Sequence, residues 1–199
     1  MATHPAARAR TLAQLHRTIA GCRMCPRMLP PPILWAREGQ RALIIGQAPG
    51  ITEPQRGLPF AGAAGRKLIG WLAPLGITDH ESMLERFAFA AVAKCYPGRV
   101  PGGRGDRVPD RDERARCLPW TDALVRLCDP LVVVPVGRLA IDDWVGRAPL
   151  SDVTGRVFER DGRIVVPLPH PSGASAWTNL AENRALVALA VAQLRDTLP

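Results

Sequence analysis

Four short apolar runs, at residues 42–45, 87–93, 131–136 and 164–168, constrain this chain more than any other feature. Each is too short for an ordinary helix and is bounded by Gly or Pro, as a strand buried on both faces would be. Segments with helical spacing and helix punctuation lie between and after them: 63–75, stopped by Gly76; 110–127, with an acidic first turn; 139–145; and 181–194. A further helix precedes the first run, with Leu12, Leu15 and Ile19 on one face and its end at Gly21. Strands alternating with helices predict an α/β fold whose parallel sheet is covered on both faces. Pro119, inside the 110–127 segment, predicts a kink or break there. At 199 residues the chain has room for one domain with a sizeable core, and its 47% apolar and 22% charged residues exclude a disordered or disulfide-dense class.

In open sheets of this kind, ligands bind beyond the carboxyl ends of the strands, so the residues that follow each run carry the most information. The first run enters Gly46-Gln47-Ala48-Pro49-Gly50, the second Lys94-Cys95-Tyr96-Pro97-Gly98, the third Gly137-Arg138 and the fourth Pro169-His170-Pro171-Ser172. The first turn offers close backbone approach at its glycines, the amide of Gln47 and, slightly downstream, the carboxylate of Glu53. It lacks the G-x-x-x-x-G-K-[ST] pattern of a phosphate loop, which disfavours a generic ATPase. Phe60 stands among small or rigid residues directly before a helix, where an aromatic ring serves either as a stacking platform for a base or as a core plug. His170 is held between two prolines, beside small residues 172–175 that suit close approach to a phosphate backbone.

Five cysteines are present, Cys22, Cys25, Cys95, Cys117 and Cys128. No run of about 18 apolar residues occurs and no apolar stretch follows Arg8 and Arg10, so neither a membrane span nor a secretory signal is expected. The expected compartment is the cytoplasm, where thiols stay reduced and a disulfide framework is not expected. Cys22 and Cys25 have the C-x2-C spacing of a metal pair, and Cys95 with Cys117 complete four ligands for either zinc or an iron-sulfur cluster. Cys128 has no nearby partner and is assigned to core packing. The formal net charge of +8 fits a polyanionic partner, and all but Lys67 and Lys94 of the 26 basic residues are Arg. A GC-rich genome produces the same Arg bias. If the charge serves nucleic acid, it should gather where Gln47, Lys94, Arg138 and His170 stand.

Together these residues resemble the uracil-DNA glycosylase superfamily, in particular its iron-sulfur class, family 4. Its G-E-A-P-G-x-x-E motif is matched by Gly46 through Glu53, its G-x-P-F-x-G-x-A-G segment by Gly57 through Gly65, and its H-P-S motif by His170-Pro171-Ser172. K-C-x-P occurs at Lys94 to Pro97. The resemblance implies a three-layer α/β/α sandwich with a central four-stranded parallel sheet, forming a single domain over 1–199. It implies a structural 4Fe-4S cluster on Cys22, Cys25, Cys95 and Cys117. It also implies removal of uracil from single- or double-stranded DNA by a monomeric hydrolase that leaves an abasic site, without a lyase step. His170, Glu53 and Gln47 are the implied catalytic residues, and Gly46, Ala48, Phe60 and Ser172 the implied substrate-binding ones. Residues 172–175 would press on the minor groove as the nucleotide is flipped.

Two departures stand out. Gln47 replaces the motif Glu and Ala48 fills the place of a catalytic Asp found elsewhere in the superfamily, which removes a carboxylate base from the first turn. Ala91 replaces the Asn expected to read the uracil edge. The interval from Cys95 to Cys117 is also longer than expected, filled by an Arg-rich loop at 99–107 that is either a DNA contact or a solvated insertion. These departures keep a second reading open, a non-enzymatic iron-sulfur DNA-binding or damage-sensing protein with a degenerate site.

Overall fold

Ala42–Gly46 (β1) is buried along its whole length, as an apolar run without polar alternation requires. It lies at the centre of four parallel strands, paired with Ala88–Ala91 (β2) on one side and Val132–Pro135 (β3) on the other, while β3 pairs with Arg163–Val165 (β5). Phe158–Arg160 (β4) adds a fifth strand, antiparallel to β5, and the spatial order is β2-β1-β3-β5-β4. The computed structural model describes residues 4–103, 105–172 and 176–199.

All four expected strands are present and parallel, but the expected four-stranded sheet has five strands. The additional strand escapes an apolar-run criterion because it is short and largely exposed, reading Phe158-Glu159-Arg160. Its signal is the turn that follows: Asp161 and Gly162 both take positive φ, 51° and 72°, as a two-residue hairpin demands. The other boundaries also have local causes. β5 ends at Val165 because Pro167 and Pro169 have no N–H, although Val166 and Leu168 still donate to Val133 and Pro135 carbonyls at 3.0 and 2.9 Å. Beyond β2, Val92 and Ala93 donate to the carbonyls of Gly46 and Gln47 at 2.9 and 3.0 Å, tying the chain before Lys94 to the first motif.

Helices cover both faces. Leu12–Ala20 (α1), Arg111–Cys128 (α5) and Arg138–Trp144 (α6) pack with Leu43, Ile45, Ala88, Ala90 and Val133 on one face. Ala63–Leu72 (α3), His80–Arg86 (α4) and Ala181–Thr197 (α8) pack with Ala42, Ile44, Phe89, Val132 and Val134 on the other. Alternate residues of one strand thus serve opposite cores, which makes every position of β1, β2 and β3 apolar. Thr52–Arg56 (α2) and Leu150–Val153 (α7) are shorter helices outside the expected set. The helix expected over 63–75 ends at Leu72 and finishes in a 3-10 turn at Ala73–Leu75.

α5 runs through Pro119 without a break, anchored in the core by Trp120 and Leu124, which are 1% and 0% exposed. Its start is a reciprocal cap, with Glu113 N–H donating to Asp110 Oδ1 and Asp110 N–H to Glu113 Oε2, both at 2.8 Å. Among the described residues no helix is long and apolar enough to cross a membrane.

Candidate active site and cysteine centre

A pocket of about 590 Å³ opens at the carboxyl ends of the parallel strands. It brings together every residue singled out for catalysis or substrate binding: Gly46, Gln47, Ala48, Glu53, Phe60, His170 and Ser172 all line it. The remainder of the 172–175 segment, residues 173–175, lies outside the described residues.

The walls are set by backbone constraints. Phe60 holds a left-handed backbone, φ 50°, which costs a non-glycine residue conformational energy and persists only where neighbours enforce it. Gly65 is one of them. A β-carbon placed on it would stand 1.6 Å from the Phe60 carbonyl oxygen, so only glycine lets α3 start so close beneath the ring. The Phe60 ring leans on Phe89 with centroids 5.9 Å apart and faces the floor of the pocket at Gly46. The ring is half-buried, lining the pocket while it packs against Phe89 in the core.

Glu53, on α2, is 8% exposed, and its Oε1 accepts from Gly62 N–H at 3.0 Å. His170 accepts from Ser172 N–H through Nδ1 at 3.2 Å, so the neutral ring carries its proton on Nε2. Burial lowers the His170 pKa and favours that neutral form. Gly137, at φ +88°, sits where a side chain would meet the imidazole at 3.1 Å, so the turn after β3 backs the histidine. Among the described residues no hydrogen bond engages the Gln47 side-chain amide, and Ala91 is buried where its methyl group lines the same pocket.

Sequence reasoning missed one residue here. Asp106 lines the pocket from within the 99–107 loop, and its Oδ1 accepts from Tyr96 Oη at 2.9 Å. Its only signal in the sequence was that the interval between two candidate ligands is long. Lys94, expected among the cations at the strand ends, is instead 1% exposed, donating from Nζ to the Cys117 carbonyl at 3.0 Å and to Thr121 Oγ1. It braces α5 and contributes nothing to a DNA-facing surface. Arg138 is exposed but engaged with Asp142 at 3.3 Å.

The four cysteines come together from three segments. Cys22 follows α1, Cys25 the turn beyond it, Cys95 the end of the β2 segment, and Cys117 the second turn of α5. The connector at 29–33 pairs with 94–96, through Leu29 and Tyr96, which exchange backbone bonds of 2.8 and 3.2 Å, and through Ile33 N–H on the Lys94 carbonyl at 2.6 Å. That pairing delivers the first two thiols to the second two, and all four line one cavity of about 30 Å³. Burial and then the charges of the neighbouring thiols push the Cys95 pKa up to about 12; Cys25 is raised by the same two causes. Two thiols, Cys25 and Cys95, that resist ionisation among neighbouring sulfurs fit a cationic centre, which offsets that cost and holds thiolates. Among the described residues no three His, Cys, Asp or Glu side chains converge as ligands of one ion. Cys128 sits apart in the core, 8% exposed, with its pKa pushed up to about 11 by burial.

The model of the uracil-DNA glycosylase superfamily matches residues 36–195. The chain belongs to that superfamily. A type-4 uracil-DNA glycosylase of Pyrobaculum aerophilum is 31% identical over 161 residues, covering 77% of this chain and 76% of the relative. The type-4 uracil-DNA glycosylase of Thermotoga maritima is 29% identical over 76% of each chain, and that of Archaeoglobus fulgidus is 28% identical over 86% of this chain and 87% of the relative. The match to the superfamily covers both the pocket and the Cys95–Cys117 half of the cysteine centre.

Proposed function

We propose that this superfamily member is a uracil-DNA glycosylase, hydrolysing the bond between uracil and deoxyribose in single- or double-stranded DNA to leave an abasic site. The observation that carries the reading is the gathering of Phe60, His170, Glu53 and Gln47 around one pocket at the strand ends. A flipped uracil stacks on Phe60. His170, neutral and protonated at Nε2, donates to O2 as negative charge develops there, an interaction stronger in the transition state than in the ground state. The Gln47 amide both donates and accepts, which suits the imide edge of uracil and replaces the reader lost at Ala91. Glu53 orients water and offsets the positive charge growing on the sugar. Gly46 and Ala48 let the base approach the backbone, and Ser172 meets the DNA strand.

Cys22, Cys25, Cys95 and Cys117 hold a 4Fe-4S cluster in this reading. Their sharing of one cavity supports a single centre held by all four. The cluster cross-links α1, the β2 segment and α5 and takes no part in bond cleavage. The protein acts as one domain and one copy, in the cytoplasm, where reduced thiols can load iron.

Single-turnover assays on uracil-containing oligonucleotides test the reading. Abasic product is expected from the native protein, with His170→Ala slowed by about 10²-fold or more. Protein that carries its cluster and binds this DNA without releasing uracil would instead be the non-enzymatic binder that Gln47, Ala48 and Ala91 leave open.

A further inference from the structure

The first turn offers no carboxylate base, since Gln47 and Ala48 stand where acidic residues would serve. A carboxylate reaches the pocket by another route. Asp106 stands on the solvent side, brought in by a loop that is a short hairpin: Arg99 and Asp106 form a bridge, and Arg107 N–H donates to the Gly98 carbonyl at 2.8 Å. The base of that hairpin is clamped, because both terminal nitrogens of Arg107 bind the carboxylate of Glu113 at 2.8 Å and its Nε binds the Pro97 carbonyl at 3.0 Å. Buried Tyr96 fixes the side chain itself through Oδ1.

The free oxygen then has a defined target. Asp106 Oδ2 lies 3.5 Å, and Glu53 Oε2 3.0 Å, from the point that a β-carbon on Gly50 would occupy. Each carboxylate is tied by one oxygen to a protein donor, Glu53 to Gly62 N–H and Asp106 to Tyr96 Oη, and each turns the other toward the same space beside Gly50. The two oxygens so directed border the open space beside Gly50, which, lacking a side chain, leaves room there for a water molecule to bond both.

We propose that Asp106 is a further catalytic residue of this pocket, the base that takes a proton from the attacking water held between it and Glu53 beside Gly50. The proposal rests on the glycosylase reading. As the C1′–N1 bond breaks, its electron pair leaves with uracil, whose O2 accepts from His170. The water oxygen bonds to C1′ and its proton passes to Asp106 Oδ2, while Glu53 stays ionised beside the cationic sugar. Asp106, exposed where Glu53 is enclosed, returns the proton to solvent, and the uracil anion takes one up. The 99–107 insertion is then the part of the chain that restores what the first motif lacks.

Single-turnover uracil release and affinity for the same uracil-containing oligonucleotide should be measured for the native protein, Asp106→Asn, Asp106→Ala and Gly50→Ala. Asp106→Asn keeps an acceptor for Tyr96 and should slow release about 10²-fold, with DNA affinity equal or tighter because a negative charge has gone. Gly50→Ala sets a β-carbon 3.0 Å from Glu53 Oε2 and 3.5 Å from Asp106 Oδ2, crowding the space between the two carboxylates, and should slow release at least about tenfold. Formate should restore part of the rate to Asp106→Ala and none to Gly50→Ala, which a purely structural role would not produce. Asp106→Asn releasing uracil within threefold of the native rate overturns the proposal, as does a slowing matched by an equal loss of affinity. A native protein that binds DNA and releases no uracil fails in the control arm, and there the glycosylase reading itself has failed.

Discussion

The pocket and the cysteine centre stand on either side of the chain that leaves β2, yet they are built on opposite principles. The pocket is shaped by backbone. Gly65 under the Phe60 carbonyl, Gly137 behind His170 and the Gly62 amide on Glu53 hold its polar groups in place with no guest present. The cysteine centre is gathered by side chains from distant segments, and Cys25 and Cys95 are pushed toward the neutral form by burial and by the neighbouring thiols. One region is preorganised; the other, with the proposed cluster, is completed by what it binds. For a glycosylase this division is apt, since transition-state stabilisation needs fixed dipoles whereas a cross-link needs only strong bonds.

Breaking the cysteine centre should have the largest effect. Cys117→Ala, and separately Cys22→Ala, should abolish the visible thiolate-to-iron absorbance and bound iron. Either should lower the melting temperature by about 10 °C or more, because on the proposed reading α1 and α5 are linked through the cluster; chelation of the native protein should do the same. A colourless native protein that contains zinc would break the comparison at its root. Next comes backbone preorganisation: Gly65→Ala forces a β-carbon into the Phe60 carbonyl and should cost at least about 3 kcal/mol in denaturant unfolding. Phe60→Ala should spare the fold and slow single-turnover uracil release by about tenfold to a hundredfold, from loss of about 1–3 kcal/mol of stacking. Cys128→Ala should leave iron content and uracil release unchanged and cost only about 1–2 kcal/mol of stability, which separates the fifth cysteine from the other four.

The smallest expected effect concerns pH. Burial lowers the pKa of His4, His16 and His170, so the native state disfavours protons that the unfolded chain accepts near pH 6.5. Stability should therefore fall as pH drops from about 6.5 through the lowered native values. His16, whose Nε2 is buried with no partner among the described residues, lies outside both regions. His16→Leu should flatten the melting-temperature slope between pH 7.5 and 5.5 by a few degrees and leave uracil release unchanged.

Much of the fold was legible because strand position and strand chemistry coincide here. A strand buried on both faces must be apolar throughout, and the Gly and Pro residues at its ends mark where it stops. β4 was not legible by that criterion, because Glu159 and Arg160 are exposed, although the Asp161-Gly162 turn carried its signal. Pro119 does not break α5, because a helix deep in the core is held by Trp120 and Leu124 against the loss of one hydrogen bond. Lys94 misled: in sequence it reads as a surface cation, and only the packing of α5 on the sheet encloses it. Asp106 could not be found from spacing, since what matters about it is which oxygen Tyr96 leaves free.

By itself, the sequence determined the parallel sheet, the turns at its carboxyl edge and the identity of the groups in them, since apolar periodicity, turn chemistry and motif order are local properties. Only the tertiary structure decided which groups share a space. The cysteines meet because the 29–33 connector pairs with 94–96, Lys94 is enclosed because α5 lies over it, and Asp106 joins Glu53 because Arg107 and Tyr96 pin a loop whose own residues carry no apolar pattern. Those contacts join positions far apart along the chain, and their energies depend on distances that a linear order of residues does not contain.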